Sequence, residues 1–269
     1  MKYDPVKSSL GTIFNRTVFL RKLFYRLLDL LLLRSWHIRK ELKILRREDF
    51  QPWKILDAGT GFGQYVFYLA RKFPRAAITG IDINPGQIED CKHFFKKTKY
   101  SERVGFGVED LTKYRKEAFY NLILSVDVME HVEDDLTVFK NFYKSLEPGG
   151  VLLISTPSDR GGSDVHHDDE VSFIDEHVRD GYGMDEIREK LSSAGFSDIS
   201  IRYAYGKPGQ ISWRLSMKYP IRMVNISRLF LILLPFYYLV VFPASLILNV
   251  MDIKRNHETG TGLIVKCIR

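Results

Sequence analysis

Between residues 53 and 204, short apolar stretches alternate with amphipathic ones. Apolar stretches of four or five residues are typical of buried strands, and apolar positions three and four residues apart are typical of helices. The pattern predicts strands at 54–57, 77–81, 104–108, 122–126, 151–155 and 199–203, with a seventh at 263–268. It predicts helices at 65–72, from Asn84-Pro85 onward, at 136–146 and at 185–194, and a tight turn at 147–150. We therefore expect an α/β fold with a doubly wound, mainly parallel sheet.

Two apolar and basic segments flank this pattern. Residues 14–47 have apolar side chains at helical spacing with basic residues among them, which predicts one or two helices. Residues 229–251 form a run of 23 residues without a charge, long enough to cross a membrane. A single crossing is not expected, because the strands on either side belong to one sheet and because Pro235 and Pro243 would kink or break a single helix.

We expect instead a helical hairpin that enters one leaflet of a membrane, with Tyr237 and Tyr238 at the level of the lipid headgroups. Two alternatives stay open for this segment. It is either a helical cap whose apolar face is buried on the core, or a surface for dimerisation. Because one alternative is a dimerisation surface, the oligomeric state is also left open.

The chain is predicted to have four parts. They are basic amphipathic N-terminal helices at 1–48, a core at 49–204, an apolar helical insertion at 205–257 and the last core strand at 258–269. The net charge is +8 for residues 1–48, −8 for residues 49–205 and +6 for residues 206–255. Basic flanks indicate an anionic partner. A membrane surface is favoured over nucleic acid, because the flanks carry runs of leucine rather than aromatic residues among the charges.

The number of cysteines and the N-terminal sequence indicate the cellular compartment of the protein. The chain has 2 cysteines among its 269 residues, too few for a disulfide framework or a cysteine zinc cluster. No secretory signal is visible in the sequence. We expect the protein at the cytoplasmic face of a membrane, where thiols stay reduced.

Glycines and carboxylates follow three of the predicted strands. The loop Asp57-Ala58-Gly59-Thr60-Gly61-Phe62-Gly63 follows the first strand, where glycines let a ligand approach the backbone. Asp82 ends the second strand, where a carboxylate can accept from both hydroxyls of a ribose. Asp110 follows the third strand, where a carboxylate can accept from an adenine amino group. A nicotinamide dehydrogenase is disfavoured, because its fingerprint requires Gly or Ala where this chain has Gln64.

Together these motifs resemble those of class I S-adenosylmethionine-dependent methyltransferases. The matching elements are Asp57-x-Gly59-x-Gly61-x-Gly63, Asp82, Asp110-Leu111 and Leu146-Glu147-Pro148-Gly149-Gly150. The stretch at 125–132 resembles the segment after strand four in the ubiquinone-type O-methyltransferase branch. The resemblance covers about residues 36–204 and the last strand. It implies a Rossmann-like seven-stranded fold and S-adenosyl-L-methionine as cofactor.

The resemblance also implies roles for individual residues. Asp57 and the glycines Gly59, Gly61 and Gly63 would hold the methionine end of the cofactor. Asp82 would bind the ribose, with Ile83 packed on the adenine. Asp110 and Leu111 would contact the adenine edge, and Ser125 and Val126 would line the floor of the site near the sulfonium.

Transfer to an oxygen benefits from a general base. His131 lies in the segment after strand four, and His177 lies where related enzymes often carry a histidine near the substrate. Both are candidate catalytic residues, although His131 is equally compatible with a structural role. The run His166-His167-Asp168-Asp169-Glu170 suggests a metal site at first, but consecutive ligands rarely enclose a metal, so no metal is expected. The run is predicted to be a solvated loop, with a lid over the site as the alternative.

The favoured function is therefore methylation of an oxygen on a lipophilic small molecule at a membrane surface. One alternative is N- or C-methylation of a lipid or quinone precursor by the same fold. Another is a non-catalytic membrane scaffold, against which the intact set of cofactor motifs argues.

Overall fold

The computed structural model describes residues 17–46, 52–161, 178–227 and 229–269. The strands are β1 (Lys54–Ala58), β2 (Ala77–Asp82), β3 (Val104–Val108), β4 (Tyr120–Val126), β5 (Leu146–Pro157), β6 (Asp198–Ala204) and β7 (Gly262–Ile268). The helices up to β6 are α1 (Val18–Leu31), α2 (Leu33–Leu45), α3 (Gln64–Lys72), α4 (Pro85–Lys96), α5 (Asp135–Ser145) and α6 (Met184–Ala194). Between β6 and β7 lie α7 (Lys207–Trp213), α8 (Tyr219–Ile226) and α9 (Phe230–Lys254).

The seven strands form one sheet in the order β3-β2-β1-β4-β5-β7-β6. The first five strands are parallel, and β7 runs antiparallel to both of its neighbours. The predicted doubly wound, seven-stranded α/β fold is confirmed.

Alternate side chains of each strand face opposite layers of helices. Ile55 lies in a core shared with α2, α3 and α4, whereas its neighbour Leu56 lies in a second core shared with α5 and α6. Because both faces are covered, the central strands are apolar on both sides, as a buried parallel sheet requires.

The strand boundaries lie within two residues of the predicted ones except at β5, which begins five residues early. Residues 147–150, predicted as a tight turn, lie within the span of β5. The strand begins early because Leu146 already pairs with Tyr120, and the ladder then shifts register before Leu122. Glycine is favoured at position 150, because the Cβ of any other residue would lie only 3.0 Å from the carbonyl oxygen of Tyr120.

The segment between β6 and β7 is a hairpin of two helical arms. The first arm comprises α7, a π-helical turn at Arg214–Lys218 and α8, and α9 is the second arm. At its base, the Gly209 amide donates to Asp252 at 3.0 Å, and the Ser212 hydroxyl donates to the Ser245 carbonyl at 3.1 Å. The arms therefore run antiparallel, and the chain reverses between α8 and α9. We call residues 207–254, apart from residue 228, the hairpin.

Pro235 and Pro243, which were predicted to kink or break a single helix, do not break the second arm. Both lie inside a continuous α9 of 25 residues. Tyr238 and Ser245, on either side of Pro243, are each bonded to the first arm, and these contacts support the helix at the proline. A neighbouring helix commonly compensates in this way for a proline inside an apolar helix.

The hydroxyls of the two tyrosines of α9, Tyr237 and Tyr238, lie against the first arm, and their level in a membrane stays a prediction. In the π-helical turn the Tyr219 amide donates to the Arg214 carbonyl, and Pro220 has no amide hydrogen. The carbonyls of residues 215 and 216 thereby lose their usual helical donors. The hydroxyls of Tyr237 and Tyr238 replace them, donating to these two carbonyls at 2.7 Å each.

Candidate cofactor and active site

The predicted cofactor residues meet at the carboxyl ends of β1, β2 and β4, which are neighbours in the sheet. From β1 the chain adds β2 and β3 on one side of the sheet and then β4 and β5 on the other. The strand order therefore reverses at β1. Ligands of open α/β sheets bind in the crevice formed at such a reversal.

The glycine loop after β1 is shaped by three left-handed residues. Gly59, Gly61 and Gly63 have φ of +77°, +51° and +76°. The amides of Gly59 and Thr60 both donate to the Ile81 carbonyl, at 2.9 and 2.8 Å. A Cβ on Gly59 would lie 2.3 Å from Cγ2 of Val128. Glycine is therefore required at position 59, where the loop packs closely against the segment after β4.

Asp57 lies beneath this loop and is buried. Its carboxylate accepts a hydrogen bond from the Thr60 hydroxyl at 2.7 Å. Burial raises the pKa of Asp57 to about 7, and the nearby Asp82 adds to the shift. A cation beside Asp57 would stabilise its charge.

Asp82 holds the loop from the end of β2. Its two oxygens accept from the amides of Gly61 and Asn84, each at 2.9 Å. Each carboxylate oxygen has a further lone pair, so two neighbouring hydroxyls can donate to it. The next residue, Ile83, exposes an apolar side chain beside the carboxylate. Asn84 caps α4, as predicted, by accepting from the Gln87 amide at 3.1 Å.

Asp110 and Leu111 follow β3. Asp110 accepts from the amide and the hydroxyl of Thr112 at 2.9 and 2.7 Å, and Lys113 lies 3.5 Å from it. These hydrogen bonds from Thr112, together with Lys113, lower the pKa of Asp110. One of its oxygens thus serves the local turn, and Leu111 is half-buried beside it.

Ser125 and Val126 end β4, and both are buried. The Ser125 hydroxyl has no hydrogen-bond partner within the residues that the structure describes. Buried hydroxyl groups without a hydrogen-bond partner are uncommon, so this one is expected to bond to a ligand or a water molecule. It lies at the same edge of the sheet as the glycine loop.

Helix α1 closes the glycine loop from outside, which the sequence did not predict. The Arg21 guanidinium and the Tyr25 hydroxyl both donate to the Phe62 carbonyl, at 2.8 and 2.5 Å. Gln64 also donates to Asp29 of α1, at 2.8 Å. Arg21 is 1% exposed, although its basic surroundings in the sequence indicated a surface position. The signal that was available is Tyr25 four residues later, a helical spacing at which its hydroxyl accepts from Arg21 at 2.9 Å.

The profile of the methyltransferase domain family matches residues 51–194, which is more than half of the chain. The chain belongs to this methyltransferase family. The match confirms the predicted family and S-adenosylmethionine as the cofactor.

Curated relatives of the methyltransferase differ in substrate. Malonyl-[acyl-carrier protein] O-methyltransferase 1 of Ilyobacter polytropus is 30% identical over 120 residues, covering 45% of this chain and 44% of the relative. Phosphoethanolamine N-methyltransferase 1 of Arabidopsis thaliana is 32% identical over 157 residues, covering 54% of this chain and 29% of the relative. The matches thus span less than half the length of these relatives.

Solved structures agree on the fold. Phosphoethanolamine N-methyltransferase 2 of Haemonchus contortus, in complex with S-adenosyl-L-methionine, superposes with a TM-score of 0.58 at 19% identity, covering 86% of this chain and 52% of that one. The [4+2]-cyclase SpnF superposes with a TM-score of 0.55 at 15% identity, covering 88% of this chain and 82% of that one. At these identities the likeness concerns the fold alone.

The side chains of the methyltransferase fit its cofactor. The buried Asp57 suits an ammonium group, and the remaining lone pairs of Asp82 suit a ribose diol. The Ser125 hydroxyl, which has no partner among the described residues, is available to the cofactor. At Gly61 of the loop, a Cβ would be in ordinary contact with Oε1 of Gln87, at 3.7 Å, so the backbone there leaves room for a ligand.

Beyond β4 the methyltransferase has a charged cluster that the sequence did not predict. Asp127 adopts a left-handed conformation with φ of +51° and forms an ion pair with Arg34 of α2. The Arg34 amide donates to the Tyr205 hydroxyl at 2.9 Å. Glu130 is buried, and its pKa is raised by burial and by Asp127. In the sequence, Arg34 belongs to a basic flank. The tertiary fold brings it to the end of β4.

His131, the first candidate base, ends the 3₁₀ turn at Met129–His131. It is half-buried and lies at the carboxyl end of β4, close in sequence to Asp127. The second candidate, His177, and the run at 166–170 lie outside the described residues. Within residues 17–46, 52–161, 178–227 and 229–269, no group of three His, Cys, Asp or Glu side chains is arranged to hold a metal.

Proposed function

We propose that this methyltransferase transfers a methyl group to an oxygen of a lipophilic small molecule at the cytoplasmic surface of a membrane. The observation that carries the proposal is α9, which is long and apolar enough to cross a membrane while 6% of its most apolar window is buried.

The cofactor supplies a methyl group on an activated sulfonium. In this proposal Asp57 and the backbone at Gly59, Gly61 and Gly63 hold the methionine end. Asp82 accepts from the ribose, and Ile83 packs on the adenine. Asp110 and Leu111 contact the adenine edge, and Ser125 and Val126 line the floor near the sulfonium. Aligning nucleophile and methyl group in this way is worth roughly 7–11 kcal/mol of the barrier.

His131 takes the proton of the attacking hydroxyl in this proposal, and His177 is a second substrate-side group. The position of His131 beyond β4 supports this role, since Asp127 and Arg34 form the polar wall there.

Replacing His131 with glutamine should lower turnover by about 10²–10⁴-fold, the usual contribution of a general base. Transfer of a radiolabelled methyl group to a membrane lipid extract measures turnover. The affinity for S-adenosylhomocysteine and the melting temperature should stay close to those of the wild type. An equal loss of turnover, affinity and stability would instead assign His131 a structural role.

The surface of the hairpin supports insertion into lipid. Large apolar side chains along α9 are more than half exposed, among them Ile232, Phe236, Leu239 and Val240. Monomers rarely expose apolar surface of this extent to water. A cap whose apolar face is buried on the core does not fit this exposure.

The interior of the hairpin supports the same conclusion. In lipid, every backbone polar group needs an internal partner, because no water is present to replace it. The two carbonyls freed at the π-helical turn obtain such partners from Tyr237 and Tyr238. Arg214, Lys218 and Arg222 recur every four residues on the first arm, which places them on one face of a helix. A basic face of this kind suits anionic headgroups, each charge adding about 1 kcal/mol near the surface.

Helix α1 carries exposed apolar side chains of its own. Phe19, Leu23, Leu27 and Leu30 recur at helical spacing, and each is at least 38% exposed. Since the hairpin returns to the strand beside the one it left, a single crossing is excluded. In this proposal it enters one leaflet, because the charged side chains of the first arm oppose a full crossing by that arm.

A double variant, Ile232→Asp with Leu239→Asp, should abolish membrane binding. Each apolar side chain contributes at least about 1.5 kcal/mol when buried, so losing both weakens partitioning by roughly a hundredfold. Flotation on vesicles of phosphatidylcholine and phosphatidylglycerol in high salt measures the bound fraction. Ile44→Asp, the same change at an exposed position on α2, is the matched control. A wild-type chain that stays monodisperse without detergent and does not float would refute the membrane assignment, while titration with S-adenosylhomocysteine tests the cofactor site independently.

A further inference from the structure

A cavity of about 190 Å³ lies where α2 and α3 end. A cavity of about 150 Å³ is large enough to hold a benzene molecule, so this one has room for a small organic ligand. Six residues of the described part of the chain line it: Leu42, Lys43, Arg46, Tyr68, Lys72 and Phe73. We call this space the rear cavity.

The rear cavity is remote from the cofactor site. Helix α3 starts at the glycine loop, at the carboxyl edge of the sheet, and ends at Lys72, from where the chain returns to the amino end of β2. Trp53, which precedes β1, packs on Phe73 with 5.5 Å between the ring centroids. The cavity therefore lies at the amino edge of the sheet, and a ligand there does not depend on the proposed function.

Three basic side chains surround the opening of the rear cavity. Lys43, Arg46 and Lys72 are exposed, and none of them forms an ion pair with a described residue. Arg46 donates one hydrogen bond, to the Lys72 carbonyl at 3.4 Å, so most of its N–H donors remain for a ligand. No carboxylate is among the described residues that line the cavity. The opening thus has the charge that attracts an anion.

The inner part of the rear cavity is apolar and aromatic. Leu42 and Phe73 are 1% and 5% exposed and form its floor. Tyr68 is half-buried, and its hydroxyl has no hydrogen-bond partner among the described residues. Burial raises the pKa of Tyr68, so the hydroxyl stays protonated and able to donate. This combination suits a ligand with an anionic end and an apolar end.

The ends of the two helices explain only part of this arrangement. Basic residues in the last turn of a helix stabilise its dipole, which accounts for Lys43 and Lys72 taken singly. Beyond the end of α3, however, the Arg103 guanidinium already donates to the Phe73 and Ala76 carbonyls, at 3.1 and 3.0 Å. Helix ends do not account for three cations around a cavity with an aromatic floor.

We propose that the rear cavity binds a phosphate monoester that carries an aromatic or other apolar group. A phosphate monoester has about two negative charges at pH 7 and several acceptor oxygens, which match three basic side chains better than a single carboxylate does. Arginine binds phosphate through two parallel hydrogen bonds, a role that Arg46 fills here. Lys43 and Lys72 pair with the remaining charge, and the Tyr68 hydroxyl donates to the ester. The apolar group lies on Leu42 and Phe73.

Phenyl phosphate is the probe, with inorganic phosphate and phenol as comparisons. Calorimetric titrations are run on the full chain in detergent, with the cofactor site saturated with S-adenosylhomocysteine. Phenyl phosphate should bind about tenfold more tightly than inorganic phosphate, because about half of a phenyl ring is removed from water. Phenol should show no binding, because it has no charge for the basic side chains.

The decisive variant is Arg46→Gln with Lys72→Gln. It should weaken binding of phenyl phosphate about tenfold, since each partly exposed ion pair contributes a few-fold. The matched control, Lys92→Gln with Lys140→Gln, removes the same charge from exposed positions on α4 and α5 and should stay within about twofold of wild type. The affinity for S-adenosylhomocysteine should be unchanged in both.

Lys43→Glu gives a second measurement, for the case that the double variant melts at a lower temperature. The Lys43 side chain has no hydrogen bond within the described part of the chain, so its replacement should leave the melting temperature unchanged. Binding of phenyl phosphate should fall at least as far as in the double variant, because the new carboxylate repels the phosphate.

Flotation distinguishes a lipid headgroup from a soluble ligand. Vesicles of phosphatidylcholine contain either phosphatidic acid, which exposes a phosphate monoester, or phosphatidylglycerol, which exposes a diester. A lipid source predicts stronger flotation with phosphatidic acid, and the double variant should lose that difference. A soluble source predicts equal flotation on both, with binding of phenyl phosphate retained.

Two outcomes would overturn the proposal. One is an affinity for phenyl phosphate no higher than that for inorganic phosphate, which would leave the basic residues a role at the helix ends alone. The other is an equal affinity of the double variant and its matched control. A wild-type chain that binds phenyl phosphate but floats on neither kind of vesicle refutes the membrane assignment and leaves the rear cavity standing.

Discussion

Replacing Asp82 with alanine should lower the affinity for S-adenosylhomocysteine by about 10- to 150-fold. A hydrogen bond to a charged group contributes about 1.5–3 kcal/mol, and a tenfold change in affinity corresponds to about 1.4 kcal/mol. The variant removes the carboxylate proposed for the ribose. It also removes the acceptor for the amides of Gly61 and Asn84, so the loop loses its support. Isothermal titration calorimetry measures the affinity.

Glu89→Ala is the matched control for Asp82→Ala. It removes the same charge from an exposed position on α4. Its affinity should stay within about twofold of wild type, since exposed charges at a distance are screened by salt. An Asp82→Ala protein that melts normally and binds with unchanged affinity would disprove the assignment to the ribose.

The largest loss is expected from Gly59→Ala. The left-handed φ of +77° costs an alanine about 1–2 kcal/mol. The new methyl group would also lie 2.3 Å from Cγ2 of Val128, a distance that forces the loop or the segment after β4 to move. Cofactor binding should fall below detection, and the melting temperature should drop.

Gly149→Ala separates the two effects. Gly149 has a nearly identical φ of +79°, and its Cβ would meet nothing within 4 Å. This variant should show the backbone strain alone, with cofactor affinity unchanged. Differential scanning fluorimetry and calorimetry are run on both variants. Equal losses of stability, with cofactor binding retained in both, would show that contact with Val128 is unimportant.

The sequence predicted those parts of the molecule whose signals are local. Short apolar stretches, a glycine loop and Asn84 before Pro85 are each decided by a few neighbouring residues, and the structure confirms the fold that they imply. The resemblance to class I methyltransferases assigned Asp57, Asp82 and Ser125 to one cofactor site, and parallel strands present their carboxyl ends at one edge of the sheet.

Contacts between distant segments were beyond such reasoning. Arg21 and Arg34 read as members of a basic flank, yet one is buried against the glycine loop and the other pairs with Asp127. The partners are 41 residues apart in the first case and 93 in the second. No periodicity within either segment reveals a contact over such a separation.

The prolines of α9 illustrate a different limit. Their local effect on a helix is well defined, but the other arm of the hairpin opposes it with contacts on both sides of Pro243. Tertiary packing of this kind overrides a local preference.

The two ends of the hairpin are neighbours in the sheet, since Ala204 of β6 pairs directly with Gly262 of β7. The chain leaves and re-enters the sheet across a single strand spacing, about 4.8 Å. A tight β-turn could join the same two strand ends, because they are one strand spacing apart. The entropic cost of closing a longer connection grows only slowly with its length. Evolution can therefore lengthen, exchange or delete this excursion without changing a register elsewhere. Variation in this excursion takes place at the carboxyl edge of the sheet, the edge that also carries the glycine loop.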